Sequence, residues 1–286
     1  MTNKEILNMD KLEVCYTATP EVYEGLQNTK YQELDGFRIF SYDTDSAKES
    51  YLQIDIQEPN KDGTLEWMKF GTIKVGSTFA DEDTPLYVWI RIDNRMLYTP
   101  FYPDVPAATH LYYISDSLNL TYNNITKIDV ALDSNINYFN RIKKAVKNME
   151  FVPVVLNTAY PDKKTIIDKL LYIHTADRER YRTNTIAVSS SEKDMTLSIY
   201  NKTQEIEESG KEYISEWNNI PNNTYRTEIR LKRSALRDFL QDKGMTFEDL
   251  YYRLFDKELL FSLFCYYSNK LIRFRHGREC ISIIQL

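Results

Sequence analysis

The chain has 286 residues, 42% of them hydrophobic and 27% charged, with a formal charge of −6. These proportions exclude the disordered, collagen-like and coiled-coil classes, and the length suits one large domain or two. No run approaches ~18 uncharged apolar residues, residues 1–10 carry no hydrophobic signal region, and three cysteines make no disulfide framework, so we expect a cytoplasmic protein with reduced thiols and no membrane association.

The charge is unevenly spread. Residues 1–140 hold 11 Lys and Arg against 22 Asp and Glu, whereas residues 141–286 hold 25 against 20. A polyanion would therefore be met by the second half.

Several enzyme classes lack the residues they need. The eight glycines include no G-x-G-x-x-G, and Gly71-Thr-Ile-Lys-Val-Gly76-Ser-Thr has the glycine spacing of a phosphate loop but Ser77 where its lysine must stand. His110, His174 and His276, and Cys15, Cys265 and Cys280, are too widely spaced for the usual zinc motifs, and no G-x-S-x-G elbow occurs. His276 and Cys280 read as a surface histidine and an inert thiol.

In chain order, Leu12–Thr17 alternates as a strand and feeds a helix to about Leu26, with Thr19 as N-cap and Pro20 in its first turn. Tyr51–Gln57 and Thr64–Phe70 flank a Pro59–Gly63 turn, and Leu86–Ile92 and Met96–Phe101 flank Asp93-Asn94, both hairpin signals. Acids on exposed strand faces account for the negative first half without any function. From about residue 105 strands alternate with helices: a helix over His110–Asn119, a strand over Lys127–Asp133, and an amphipathic helix over Asn135–Glu150. That helix has Phe139, Ile142, Val146 and Met149 on one face and Asn140, Lys143, Lys144 and Lys147 on another.

A second helix is expected over Pro161–Tyr172, then a basic stretch at Arg178, Arg180 and Arg182. A hairpin follows over Thr185–Val188 and Met195–Lys202, and a strand over Tyr225–Lys232. Ser234 marks a helix ending at Gly244, and Thr246 with Asp249 opens a long apolar helix from Phe247 to Tyr267. Its stripe suits either core or partner surface. Two strand-then-helix units, Leu12–Gln27 and Ile128–Lys143, leave room for a pseudo-duplication. The expected fold is α+β, a largely antiparallel sheet with helices packed on one face and the other face open, in a strand-rich region 1–104 and a second region 105–286.

Three strands place polar residues together. With Ile128, Val130 and Leu132 facing the core, Asp129 and Asp133 face away. The same alternation puts Tyr200 with Lys202, and Arg226 with Glu228, Arg230 and Lys232, on polar faces. A solvated antiparallel sheet explains such a face. So does phosphodiester chemistry, in which carboxylates hold Mg2+ or Mn2+, the metal polarises phosphate, and a tyrosine attacks. A phenol with an ordinary pKa near ~10 needs such help.

The blocks Ile128-Asp-Val-Ala-Leu-Asp133, Leu197-Ser-Ile-Tyr-Asn-Lys-Thr-Gln-Glu205 and Tyr225-Arg-Thr-Glu-Ile-Arg-Leu-Lys-Arg233 together resemble the trans-acting replication initiators of rolling-circle plasmids. These are the initiators without a His-hydrophobic-His motif, and relaxases of some conjugative elements are related to them. The resemblance covers roughly residues 110–240. It implies that Tyr200 nicks one strand of origin DNA, single-stranded or in a cruciform, leaving a 5′-phosphotyrosyl link and a 3′-hydroxyl primer, and later rejoins the strand. It implies Asp129 and Glu228 as ligands of Mg2+ or Mn2+, Asp133 as a second ligand or orienting acid, and Lys202 and Arg226 as neutralisers of phosphate charge.

Lys143, Lys144, Lys147, Arg230 and Lys232 are expected to grip DNA, although the lysine face also suits plain solvation. A homodimer follows from the resemblance, with the helix from Phe247 as a contributor, and host helicase and polymerase are further partners. The sequence departs from the family pattern at Ser189-Ser190-Ser191 and Ser198, where basic residues are usual. The alternatives are a relaxase using the same residues, a DNA-binding replication-control protein without catalysis, and a nuclease that uses water and leaves no covalent adduct.

Overall fold

The computed structural model describes residues 4–42, 50–59, 62–76, 85–98, 107–147, 151–159, 185–190, 192, 194–219 and 223–286. The expected helix over Pro161–Tyr172 and the stretch of Arg178, Arg180 and Arg182 lie outside them. In chain order the elements are β1 (Glu5–Ala18), α1 (Pro20–Asn28), β2 (Tyr31–Leu34), β3 (Phe37–Ser41), β4 (Ser50–Pro59), β5 (Leu65–Val75), β6 (Leu86–Ile92), α2 (Asn94–Tyr98), α3 (Ala107–Ser117), β7 (Thr121–Ser134), α4 (Tyr138–Lys147), β8 (Val152–Val155) and β9 (Thr158–Ala159). Then follow β10 (Ile186–Ser189), β11 (Met195–Asn201), α5 (Lys202–Ser209), α6 (Glu212–Asn218), β12 (Tyr225–Lys232), α7 (Arg233–Lys243), α8 (Phe247–Tyr252), α9 (Lys257–Leu271), β13 (Ile272–His276) and β14 (Glu279–Ile281).

The fold is α+β. Ten strands hydrogen bond in the order β10-β11-β12-β7-β1-β6-β5-β4-β3-β2, and four more form a second sheet, β14-β13-β8-β9. The pairs β10–β11, β11–β12, β1–β6 and β2 through β6 are antiparallel.

The chain divides into two units, one of residues 10–128 with 247–255, the other of residues 1–9, 129–246 and 256–286. In the first, β4 and β5 form the expected hairpin, and Thr19 caps α1, its hydroxyl oxygen accepting from the Val22 amide. Gly71, from the pseudo phosphate loop, lies within β5. A Cβ there would stand 2.3 Å from the Arg91 carbonyl oxygen, so close strand approach, not phosphate, requires a glycine. Tyr251 belongs to this unit through its ring, stacked on Tyr122 with centroids 4.1 Å apart, and through its hydroxyl, 2.9 Å from that of Tyr16.

The expected second hairpin strand, Met96–Phe101, begins instead within helix α2, and its residues 99–101 lie outside the described residues. Asp93 Oδ1 accepts the Arg95 amide and its carbonyl accepts the Met96 amide, so this aspartate starts a helical turn.

In the second unit, Leu197, Ile199, Ile229 and Leu231 are buried on one face of β11 and β12, which α9 contacts. At about 1.5–3 kcal/mol per fully buried large apolar side chain, this face supplies much of the unit's stabilisation. The expected long helix from Phe247 is two helices. Asp256 Oδ1 accepts the amides of Glu258 and Leu259, starting α9 afresh after α8 has ended at Tyr252. Leu263 and Phe264 are 1% and 0% exposed within the protomer, so the stripe is core and is not available as a partner surface. Gly244 ends α7 in the left-handed conformation, as its position predicts, with φ 63°. Ser234 is not the cap of α7: its hydroxyl donates to Asp194, and Lys232 holds the cap position. No helix among the described residues is long and apolar enough to cross a membrane.

Candidate functional site

The site is built within the second unit from β7, β11, β12 and the first turn of α5. Register pairs Tyr200 with Arg226, Ser198 with Glu228 and Thr196 with Arg230 across β11 and β12. Alternation then sets Tyr200, Arg226, Glu228 and Arg230 on one face, as the sequence predicts. Ion pairs join this row to β7 in antiparallel order, Arg226 to Asp133 and Arg230 to Asp129.

Tyr200 Oη donates to Glu228 Oε2 at 2.8 Å. Glu228 Oε1 accepts from Arg230 Nε at 2.5 Å, and the same nitrogen lies 3.8 Å from Asp129 Oδ2. The Glu228 side chain is 2% exposed and that of Arg230 56%, so a nearly dry carboxylate is paired with a cation whose side chain reaches solvent. Burial pulls the Arg230 guanidinium down, but the charge and hydrogen bond of Glu228, with Asp129 and Tyr200, outweigh it and hold the group above its ordinary value.

Arg226 and Asp133 pair in the interior. The guanidinium donates from Nε to Oδ1 and from Nη2 to Oδ2, both at 2.6 Å, and both side chains are 0% exposed. Such a fork satisfies both charges in the interior. Asp133 therefore stands with Arg226, apart from the Glu228 and Asp129 carboxylates that share Arg230.

Lys202 is the first residue of α5, not the last of the strand, because Asn201 caps that helix by accepting the Gln204 amide at 3.2 Å. Its ammonium is buried, donates to Glu205 Oε2, and lies 5.9 Å from the centre of the Tyr200 ring. Burial pushes the Glu205 carboxyl up. The hydrogen bond and charge of Lys202, with Lys211 and Arg226, outweigh burial and leave the carboxyl below its ordinary range. Glu205 carried no role in the sequence reading. The signal was its i, i+3 spacing from Lys202, which matters only on a helix.

Among the expected DNA-gripping residues, Lys144 and Lys232 are exposed and Lys143 is half-buried, its ammonium 5.8 Å from the Phe139 ring centre. Lys147 lies in α4, with its side chain outside the described residues.

Among the described residues no three His, Cys, Asp or Glu side chains gather as metal ligands, so Asp129, Asp133 and Glu228 do not make a three-carboxylate cluster. Two carboxylates remain, Asp129 and Glu228, bridged by the cationic side chain of Arg230. A hard divalent ion such as Mg2+ takes one or two carboxylates with water and substrate phosphate completing its shell, and Asp129 and Glu228 are donors of that chemical type.

No family model matches the chain, and no curated protein matches it. Among solved structures it is similar to the rolling circle replication initiator protein from Geobacillus stearothermophilus, at 13% identity and a TM-score of 0.45, over 97% of this chain and 88% of that one.

Proposed function

We propose that this protein is a metal-dependent DNA nicking and joining enzyme that initiates rolling-circle replication. The observation that carries the reading is the Tyr200 hydroxyl held 2.8 Å from the buried Glu228 carboxylate, inside the three motif blocks that resemble the plasmid initiators. Glu228 is positioned to take the phenolic proton as Tyr200 attacks phosphorus. The bond from phosphorus to the 3′ oxygen breaks, a proton restores the 3′-hydroxyl, and the 5′-phosphate stays on Tyr200. Bond count is unchanged, so the reverse reaction rejoins the strand without ATP. Asp129 and Glu228 would hold Mg2+ or Mn2+, which supplies Lewis-acid polarisation of the phosphate. Arg230, more than half exposed, meets phosphate charge at the mouth of the site, with Lys232 beside it. Lys202 supports Tyr200 from beneath its ring. The partner is origin DNA, and a homodimer with host helicase and polymerase belongs to the same proposal. A relaxase acting at a transfer origin would use these residues unchanged.

A second reading, a DNA-binding replication-control protein without catalysis, is favoured by the engagement of both Glu228 oxygens and by serines at 189–191 and 198. One experiment separates them. Wild type and Tyr200→Phe are incubated with Mg2+ or Mn2+ and supercoiled plasmid carrying the sequences around the gene. Open circles and a denaturation-resistant adduct with wild type alone support the enzyme. Retardation by both proteins with no cleavage, on cruciform and single-stranded forms too, replaces it with the binder. Cleavage without an adduct points to a water-using nuclease.

A further inference from the structure

A cavity of about 220 Å³ in the second unit is lined by Asn137, Phe139, Asn140, Asn201 and Tyr225. Asn201 and Tyr225 face each other across β11 and β12, one step beyond the Tyr200 and Arg226 pair. Side chains alternate along strands, so Asn201 and Tyr225 lie at the strand end next to Tyr200 but on the opposite face, that of Leu197 and Ile229. Asn137, Phe139 and Asn140 come from the start of α4 and the residue before it.

The polar groups have a definite bias. Asn137 Oδ1 accepts the Asn140 amide at 2.9 Å, and Asn201 Oδ1 accepts the Gln204 amide at 3.2 Å. Both oxygens accept backbone amides at helix starts, so the side-chain donors among the lining residues are the NH2 groups of Asn137, Asn201 and Asn140 and the Tyr225 hydroxyl. Phe139, which is buried, and Tyr225, which is half-buried, are the aromatic residues of the lining. Amide donors beside aromatic rings are how proteins hold an unstacked base, the ring on the aromatic side chains and its carbonyl oxygens on N–H groups. A phosphate would call for a cation, and among the described residues no Lys or Arg lines the cavity.

We propose that this cavity takes a carbonyl-bearing nucleobase of the single strand that Tyr200 acts on, a proposal that rests on the nicking function above. The base of a nucleotide next to the reacting phosphate would turn round the strand end into it. Holding that base would fix the phosphate against Tyr200 and read one position of the strand.

The test is fluorescence anisotropy with the full chain and two labelled probes of equal phosphate count, a twelve-nucleotide thymidine oligomer and its abasic counterpart. Wild type should bind the thymidine probe about tenfold more tightly, the scale of one held base. Asn137→Asp with Asn201→Asp keeps both capping oxygens and replaces the NH2 donors, so the variant should melt as wild type does while the affinity ratio falls towards one. Asn140→Leu, at an exposed helix position, should lower the ratio with no effect on folding. Equal wild-type affinity for the two probes overturns the base cavity and leaves the nicking function standing, as does a ratio unchanged in both variants. Failure of wild type to bind either probe overturns both.

Discussion

The Tyr200 hydroxyl donates to the Glu228 carboxylate across 2.8 Å, from β11 to a residue on β12 that is 1% exposed. A phenolic donor and a carboxylate acceptor thus meet beside a nearly dry position, with Arg230 on the acceptor's other oxygen. Glu228→Gln keeps the shape and removes the base and its charge. We expect it to lower nicking of supercoiled plasmid by about 10²–10⁴-fold, the range for loss of a positioned base, with DNA retardation preserved. Nicking within twofold of wild type would exclude the assigned role.

Arg226 and Asp133 predict stability, not rate. Each neutralises the other at 0% exposure, so Asp133→Ala or Arg226→Ala leaves one buried charge without its partner. Each single variant should lose about 3–5 kcal/mol in urea unfolding, whereas Arg226→Met with Asp133→Leu should be close to neutral, because the desolvation of both ions is then also removed. A single variant as stable as wild type would show that the pair relaxes into solvent.

Glu205 predicts a pH dependence. Its folded carboxyl lies below the ordinary 4.5, so above that value it contributes stability, and the contribution is lost as pH falls through the lowered folded value, where both states are protonated. Glu205→Gln should unfold at the same denaturant concentration as wild type at the acid end and earlier at pH 7. Parallel curves across the whole range would contradict the lowered value.

Gly71→Ala should destabilise the strand pairing of β5 and β6. The new carbon would sit 2.3 Å from a backbone oxygen that no side-chain rotation can move. A loss of about 1–3 kcal/mol is expected on the scale of overpacking, read as a lowered melting temperature. An unchanged melting temperature would mean that β6 yields at that point.

Much of the site was legible because a strand's period of two determines which side chains share a face. Asp129 with Asp133, and Arg226 with Glu228 and Arg230, could be placed together before any pairing was known. Lys202 shows where that reasoning stops. Alternation extended through it, but the Asn201 side chain turns the chain into α5 and commits the lysine to Glu205. Asp93 and Asp256 are similar, each accepting backbone amides where the pattern implied a hairpin turn with a returning strand, or a continued helix. Capping competes over two or three residues, too short a span for periodicity to register.

The sequence by itself determined the α+β class, the faces of the central strands, the glycine ending α7 and the polar row around Tyr200. Tertiary structure decided which carboxylate answers which cation. Asp133 and Arg226 are 93 residues apart, and only the adjacency of β7 and β12 brings them into a two-pronged pair, leaving Asp129 and Glu228 as the pair that shares Arg230. Facing is set by local backbone geometry, whereas partnership is set by the register of distant strands, which depends on the packing of the whole sheet.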